Sequence, residues 1–113
     1  MRAFINTPVT KQALLEQLRA HQIADEIVKG RYWDNGKGCA VGCCIHDSNH
    51  FEFEKRFGID ARIAFLMDEL FESLPNAKAK DFPITCIEAI PQGADLSKTA
   101  GLWLTWMLAD PVD

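Results

Sequence analysis

The sequence has no basic block. Its twelve Lys and Arg are scattered, and Lys55-Arg56 is the only adjacent pair, so the electrostatic footprint of direct nucleic-acid binding is missing. Acid is not concentrated either: sixteen Asp and Glu leave a net charge of only -4, too mild for a mimic of nucleic acid. The start, MRAFINTPVTKQ, contains no apolar run of the kind that forms the core of an export signal. The most apolar stretch, Gly101 to Ala109, is about half the length of a membrane span. Repeats, low-complexity tracts and linkers are lacking too. The chain is therefore expected to be cytoplasmic, without direct contact to nucleic acid or membrane, and with its thiols reduced. A disulfide framework is a poor fit in any case, because three of the four cysteines crowd into six residues, Cys39 to Cys44.

What is present is an ordinary globular composition. With 113 residues, 48% hydrophobic and 25% charged, the chain is one domain, 1-113, able to bury a core. Thr7-Pro8 and Thr10 are helix-start signals, and apolar residues recur at helical spacing from about Lys11 to Lys29, where Gly30 stops them. Asp25 and Lys29 form an acid-first i,i+4 pair on that helix. Residues 31-37 (RYWDNGK) read as a loop turned at Asn35-Gly36. A short helix follows over Cys39 to His46, entered through Gly38, and another over Phe51 to Phe57, with Asn49 and Glu52 as a capping pair and Gly58 as its stop, although His-Phe-Glu-Phe-Glu also alternates like a strand.

The clearest helix begins after Asp60. Ile63, Leu66, Met67, Leu70, Phe71 and Leu74 make its apolar stripe, Arg62, Asp68, Glu69 and Glu72 lie opposite, and Pro75 ends it. A turn or two over 76-81 leads to a helix opened by Phe82-Pro83 and running through Ile84, Ile87 and Ile90, which Pro91-Gln92-Gly93 breaks. The last helix, from Asp95 or Ser97 to before Pro111, is apolar nearly all round. It is expected at the centre of the fold or at the interface of a homodimer. The fold class is all-α: a compact bundle of about five or six helices, with no strand pair.

Chemistry concentrates in WDNGKGCAVGCCIHDSNH, Trp33 to His50. A phosphate loop fails: Gly30 to Gly36 encloses five residues instead of four and Gly38 stands where Ser or Thr is needed. The dinucleotide spacing fails as well, so no cofactor is expected; Lys37 near a helix start leaves room only for a lone anion. Three readings remain. Cys39, Cys43 and His46 fall at i, i+4 and i+7 of a helix, with His50 just beyond, which would suit a tetrahedral metal site. Cys39 at a helix start would lose its proton more readily and act as a thiol nucleophile; His46, about 10 Å further along the axis, is too far to serve it, so a base would have to come from elsewhere, such as His21 or His50. Or the small residues simply allow a close helix crossing, with Tyr32 or Trp33 supplying a ring over Gly42. The third reading leads. The candidate ligand-binding residues are Tyr32, Trp33, Lys37, Cys39, Cys43, His46 and His50; no catalytic set is complete.

Elsewhere, Glu52, Glu54, Asp68, Glu69 and Glu72 are expected mostly on solvated helix faces. Glu88, among aliphatics, is either a buried acid or an exposed one. Cys86 is expected in the core, and Trp103 and Trp106 in the core or a dimer contact.

The segments RYWDNGKGCAVGC, FGIDARIAFLMDELFESLP, IEAIPQGADLS and LWLTWMLADP resemble a family of uncharacterised bacterial and phage-associated proteins. The family's pattern runs Tyr-Trp-x-x-Gly-Lys-Gly-Cys-Ala-Val-Gly-Cys, then a Gly-Ile-led helix ending Phe-Glu-x-Leu-Pro. A Glu-Ala-Ile-Pro-x-Gly-Ala-Asp-Leu-Ser segment and a Trp-rich helix ending Asp-Pro complete it. The resemblance spans Tyr32 to Pro111. It implies no activity, and it implies a further element beyond the Asp-Pro that this chain does not include. The functional expectation is a small interaction or accessory module acting on a protein partner or on a second copy of itself. The alternative is a metal- or small-ligand-binding protein, conceivably a thiol enzyme, with its site in 33-50.

Overall fold

The computed structural model describes residues 1-30 and 32-98. These form an all-α fold of six helices and one very short hairpin: α1 (Lys11–Ile23), β1 (Trp33–Asp34), β2 (Lys37–Gly38), α2 (Ala40–Ile45), α3 (Phe51–Phe57), α4 (Ala61–Ser73), α5 (Asn76–Ala79) and α6 (Phe82–Ala89). The Trp-rich helix expected at the centre or at a dimer interface, with Trp103 and Trp106, lies outside the described residues.

Among the described residues the central element is α2. All six of its residues are buried, and α1, α3, α4 and α6 all pack on it. Its composition, AVGCCI, explains how so short a helix can hold that place: small side chains let four neighbours approach its axis. Around it stand Leu14 and Leu18 of α1, Phe53 and Phe57 of α3, Phe71 of α4 and Ile87 of α6, each fully buried.

Local chemistry sets most boundaries. Thr10 accepts the Ala13 N–H and caps α1; Asp60 accepts the Arg62 N–H and caps α4. Hydrogen bonding to Arg62 holds the Asp60 carboxyl below its usual range. Gly58 closes α3 in the left-handed region, φ 69°, where its hydrogen also leaves room for the Arg2 carbonyl. Asp95 accepts the Ser97 N–H, and Ser97 and Lys98 are already helical.

The structure departs from the sequence reading in three places. First, α1 ends at Ile23 instead of Lys29. Asp25 takes φ 57°, and the chain peels away so that Ile27 bridges Gly38 while Val28 N–H donates to the Gly38 carbonyl at 2.8 Å. The Asp25–Lys29 pair is thereby lost: Asp25 pairs with Lys80, and Lys29 donates to the Leu74 carbonyl. Second, a strand pair does exist. Asn35 and Gly36 both have positive φ, 53° and 78°, the requirement of a type I′ turn, and this closes Trp33 against Gly38 in a two-residue ladder.

Third, α4 is rolled about its axis. It buries Ala61, Ala64, Met67, Asp68 and Phe71, while Leu70 is 46% exposed. Asp68, expected in solvent, is therefore inside. Glu88 is the exposed kind of acid, paired with Arg19 at 3.6 Å. Cys86 is half-buried against the core, as expected.

Candidate functional site

The Trp33–His50 segment is organised around one backbone contact. A Cβ on Gly42 would sit 1.5 Å from the Tyr32 carbonyl oxygen, and one on Gly38 would sit 2.3 Å from it. Both glycines are therefore a seat for the backbone of Tyr32. The carbonyl rests there and accepts the Cys39 N–H at 3.2 Å. The expectation of a close approach at Gly42 is met, but what presses on it is the main chain before β1, not a ring and not a second helix. Because that backbone is locked, the neighbouring side chains are aimed in two directions: Tyr32 toward α4 and Trp33 toward α1.

On the α4 side lies a cleft of about 390 Å³ lined by Gly30, Tyr32, His50, Phe65, Asp68, Glu69 and Glu72. The last four are spaced i, i+3, i+4 and i+7, so one face of α4 forms its wall. His50 Nε2 is hydrogen-bonded to Asp68 Oδ2, and Asp68 Oδ1 accepts the Val41 N–H at 3.2 Å. Four aromatic rings run in a row here. Tyr32 meets His50 edge-on at 4.9 Å, His50 stacks on Phe65 at 4.5 Å, and Phe65 meets Phe51 edge-on at 6.2 Å. Tyr32, Phe51 and Phe65 are 53%, 59% and 46% exposed, high values for large rings grouped in one row. Glu72 is fixed at the mouth by accepting the Gly30 N–H at 2.9 Å.

On the α1 side, four residues cluster: His21, Glu26, Trp33 and His46. His21 Nδ1 bonds Glu26 Oε1 at 2.8 Å, and its Nε2 faces His46 Nε2 at 2.6 Å. Trp33 stacks on His46, with ring centres 4.3 Å apart and planes 11° from parallel. His46 is not a helical residue. It caps α2 in the left-handed conformation, φ 52°, and so leaves the i, i+4, i+7 line that would have joined it to Cys39 and Cys43. Burial and the neighbouring His21 and Arg56 charges hold the His46 imidazole below its usual range.

The sulfurs lie inside, between these two places. Cys39 and Cys43 are 1% and 0% exposed. Cys39 Sγ accepts the Gly42 N–H, and the Cys43 thiol donates to the Gly38 carbonyl. Burial, reinforced by the Asp68 carboxylate, pushes the Cys39 thiol far up. Burial pushes Cys43 up to about 12 and Cys86 up to about 11, and Cys44 well above its ordinary value. The helix-start activation considered for Cys39 is therefore outweighed by desolvation.

Ellman's reagent on the folded protein at pH 8 is expected to modify all four cysteines one to two orders of magnitude more slowly than free cysteine, whose pKa is about 8.5. Half-buried Cys86 should react first. A fast-reacting Cys39 would contradict this geometry.

Of the sequence candidates, then, Tyr32 and His50 enter the α4 cleft, and Trp33 and His46 enter the α1 cluster. Cys39 and Cys43 are packing between them, and Lys37 is exposed on β2. Among the described residues no group of three or more His, Cys, Asp or Glu is placed to hold a metal, so the Cys39–Cys43–His46–His50 set does not assemble. Sequence reasoning passes over Phe65 and Glu26, weighs His21 only as a base for Cys39, and places Asp68 on a solvated face. His21 carries a signal, since it continues the buried Leu14–Leu18 line at i+7; Asp68 carries none, because only the roll of α4 puts it inside. Among the described residues no helix is long and apolar enough to cross a membrane. No family model, curated protein or solved structure matches the chain.

Proposed function

We propose that the protein is a small cytoplasmic interaction module whose α4 cleft receives an arginine or lysine side chain from a segment of a partner protein. The observation that carries this reading is the aromatic row Tyr32–His50–Phe65–Phe51, exposed at Tyr32, Phe65 and Phe51 and buried at His50, set beside Asp68, Glu69 and Glu72. Aromatic faces and carboxylates together suit a cation with flat or apolar parts, each ring–cation contact contributing about 0.5 to 2 kcal/mol. A cleft of about 390 Å³ has room for such a side chain, and also for a small molecule. The row continues past it to Phe51 on the surface, which favours an elongated peptide over a compact molecule. The resemblance to bacterial and phage-associated proteins supports a setting in such a cell. Self-association through the apolar C-terminal segment is a separate proposal, resting on residues outside those described.

The inward thiols weigh against a thiol enzyme. A second reading rests on the His50–Asp68 pair, since a carboxylate-held imidazole at a cleft is also how a general base is oriented.

Titration of isotope-labelled protein with short arginine-bearing peptides tests the first reading. Amide shifts are expected around Tyr32, His50 and Phe65, with affinity falling at least several-fold for Phe65→Ala and for a peptide carrying glutamate instead. Equal affinity for free arginine amide would identify a small-molecule site. Absence of shifts with every cation would remove the reading and leave the general-base alternative.

A further inference from the structure

We propose that His21 and His46 form a binding site for a borderline divalent cation (Zn2+, Ni2+ or Cu2+), with Glu26 as its outer-sphere carboxylate. The site is independent of the α4 cleft and uses none of its residues.

Three observations carry it. The two Nε2 atoms converge to 2.6 Å across a T-shaped pair of rings. His21 Nδ1 lies 2.8 Å from Glu26 Oε1; in the neutral ring, with that nitrogen donating to the carboxylate, Nε2 keeps its lone pair. This is the arrangement by which a carboxylate fixes the tautomer and orientation of a metal-ligating histidine. The facing atom belongs to His46, an exposed residue at the C-terminal cap of α2, so the part-buried contact has one partner at the surface.

A contact this short needs one proton between the two nitrogens, which His46 Nε2 would carry when His21 gives its own proton to Glu26. Moving it to His46 Nδ1 frees a second lone pair aimed at the same point. With bonds of about 2.1 Å, a tetrahedral ion needs its two nitrogens roughly 3.4 Å apart and a tetragonal Cu2+ roughly 3.0 Å. The gap therefore opens by a fraction of an ångström, by rotation of the exposed His46 side chain against Trp33. Imidazole suits these cations, and Cu2+ should bind most tightly of the series. Only two protein ligands are supplied, so the ion keeps water molecules and exchanges readily, unlike a closed structural site.

Trp33, stacked on His46, is the built-in reporter. Adding Cu2+ to the full chain is expected to quench Trp33 fluorescence with one-to-one saturation below roughly 1 mM, matched by calorimetry. His46→Ala, at an exposed position, should keep the fold by circular dichroism and lose at least tenfold in affinity. Glu26→Gln should weaken binding about tenfold to a hundredfold. Trp33→Phe should remove the static quench while the calorimetric binding remains. Unchanged Cu2+ affinity in His46→Ala, or no saturable binding in the parent protein, would overturn the proposal. Neither outcome touches the peptide titrations at Phe65.

Discussion

Gly42→Ala is expected to destabilise the protein by roughly 3 kcal/mol or more, at the top of the range for overpacking a core. In an unconstrained helix the same change would stabilise by about 1 kcal/mol, so the sign itself is diagnostic. The cause is the 1.5 Å approach of an alanine Cβ to the Tyr32 carbonyl oxygen. Neither side can give way cheaply: α2 is enclosed by α1, α3, α4 and α6, and the obstacle is backbone. Gly30→Ala makes the control. It has nothing within 4 Å but a φ of 84°, so it should cost only about 1 to 2 kcal/mol, from backbone strain alone. Urea midpoints of the two variants against the parent check both values. An unshifted or higher midpoint for Gly42→Ala would mean that the Tyr32 backbone does not rest on α2. The two aromatic placements that depend on it would then fall as well.

The second large effect is expected at Asp68. Its carboxylate, with 10% of the side chain exposed, serves two groups at once: the Val41 N–H at the start of α2 and His50. Asp68→Ala removes both acceptors and leaves two buried donors unpaired, at about 1 to 3 kcal/mol each. Asp68→Asn retains an oxygen for Val41 and should lose distinctly less. Every other buried polar side-chain atom among the described residues has a partner, so no spare group stands ready to take over from Asp68. Equilibrium unfolding monitored by far-ultraviolet circular dichroism distinguishes the cases; a loss below about 1 kcal/mol for Asp68→Ala would place the pair in solvent rather than in the wall of the cleft.

Both effects bear on function because they sit under the two candidate sites. The Gly38–Gly42 seat sends Tyr32 to the cleft and Trp33 to the histidine cluster. Asp68 ties the start of α2 to His50 and so positions the imidazole stacked on Phe65. Small residues and a buried acid thus act as scaffolding for exposed rings.

The sequence alone determines the all-α class, the caps at Thr10 and Asp60, the stop at Gly58 and the tight packing at Gly42. Each of these depends on a residue and its immediate neighbours, or on a period of about 3.6. Only the tertiary structure decides where α1 ends, because Ile27 is apolar whether it continues a helix or bridges Gly38. It alone decides the roll of α4, which takes Asp68 inward and Leu70 outward. And it alone brings His21 to His46 and His50 to Asp68, pairs separated by 25 and 18 residues. Helical periodicity records which side of one element is greasy. Which partner each side meets is set by several helices sharing one small core.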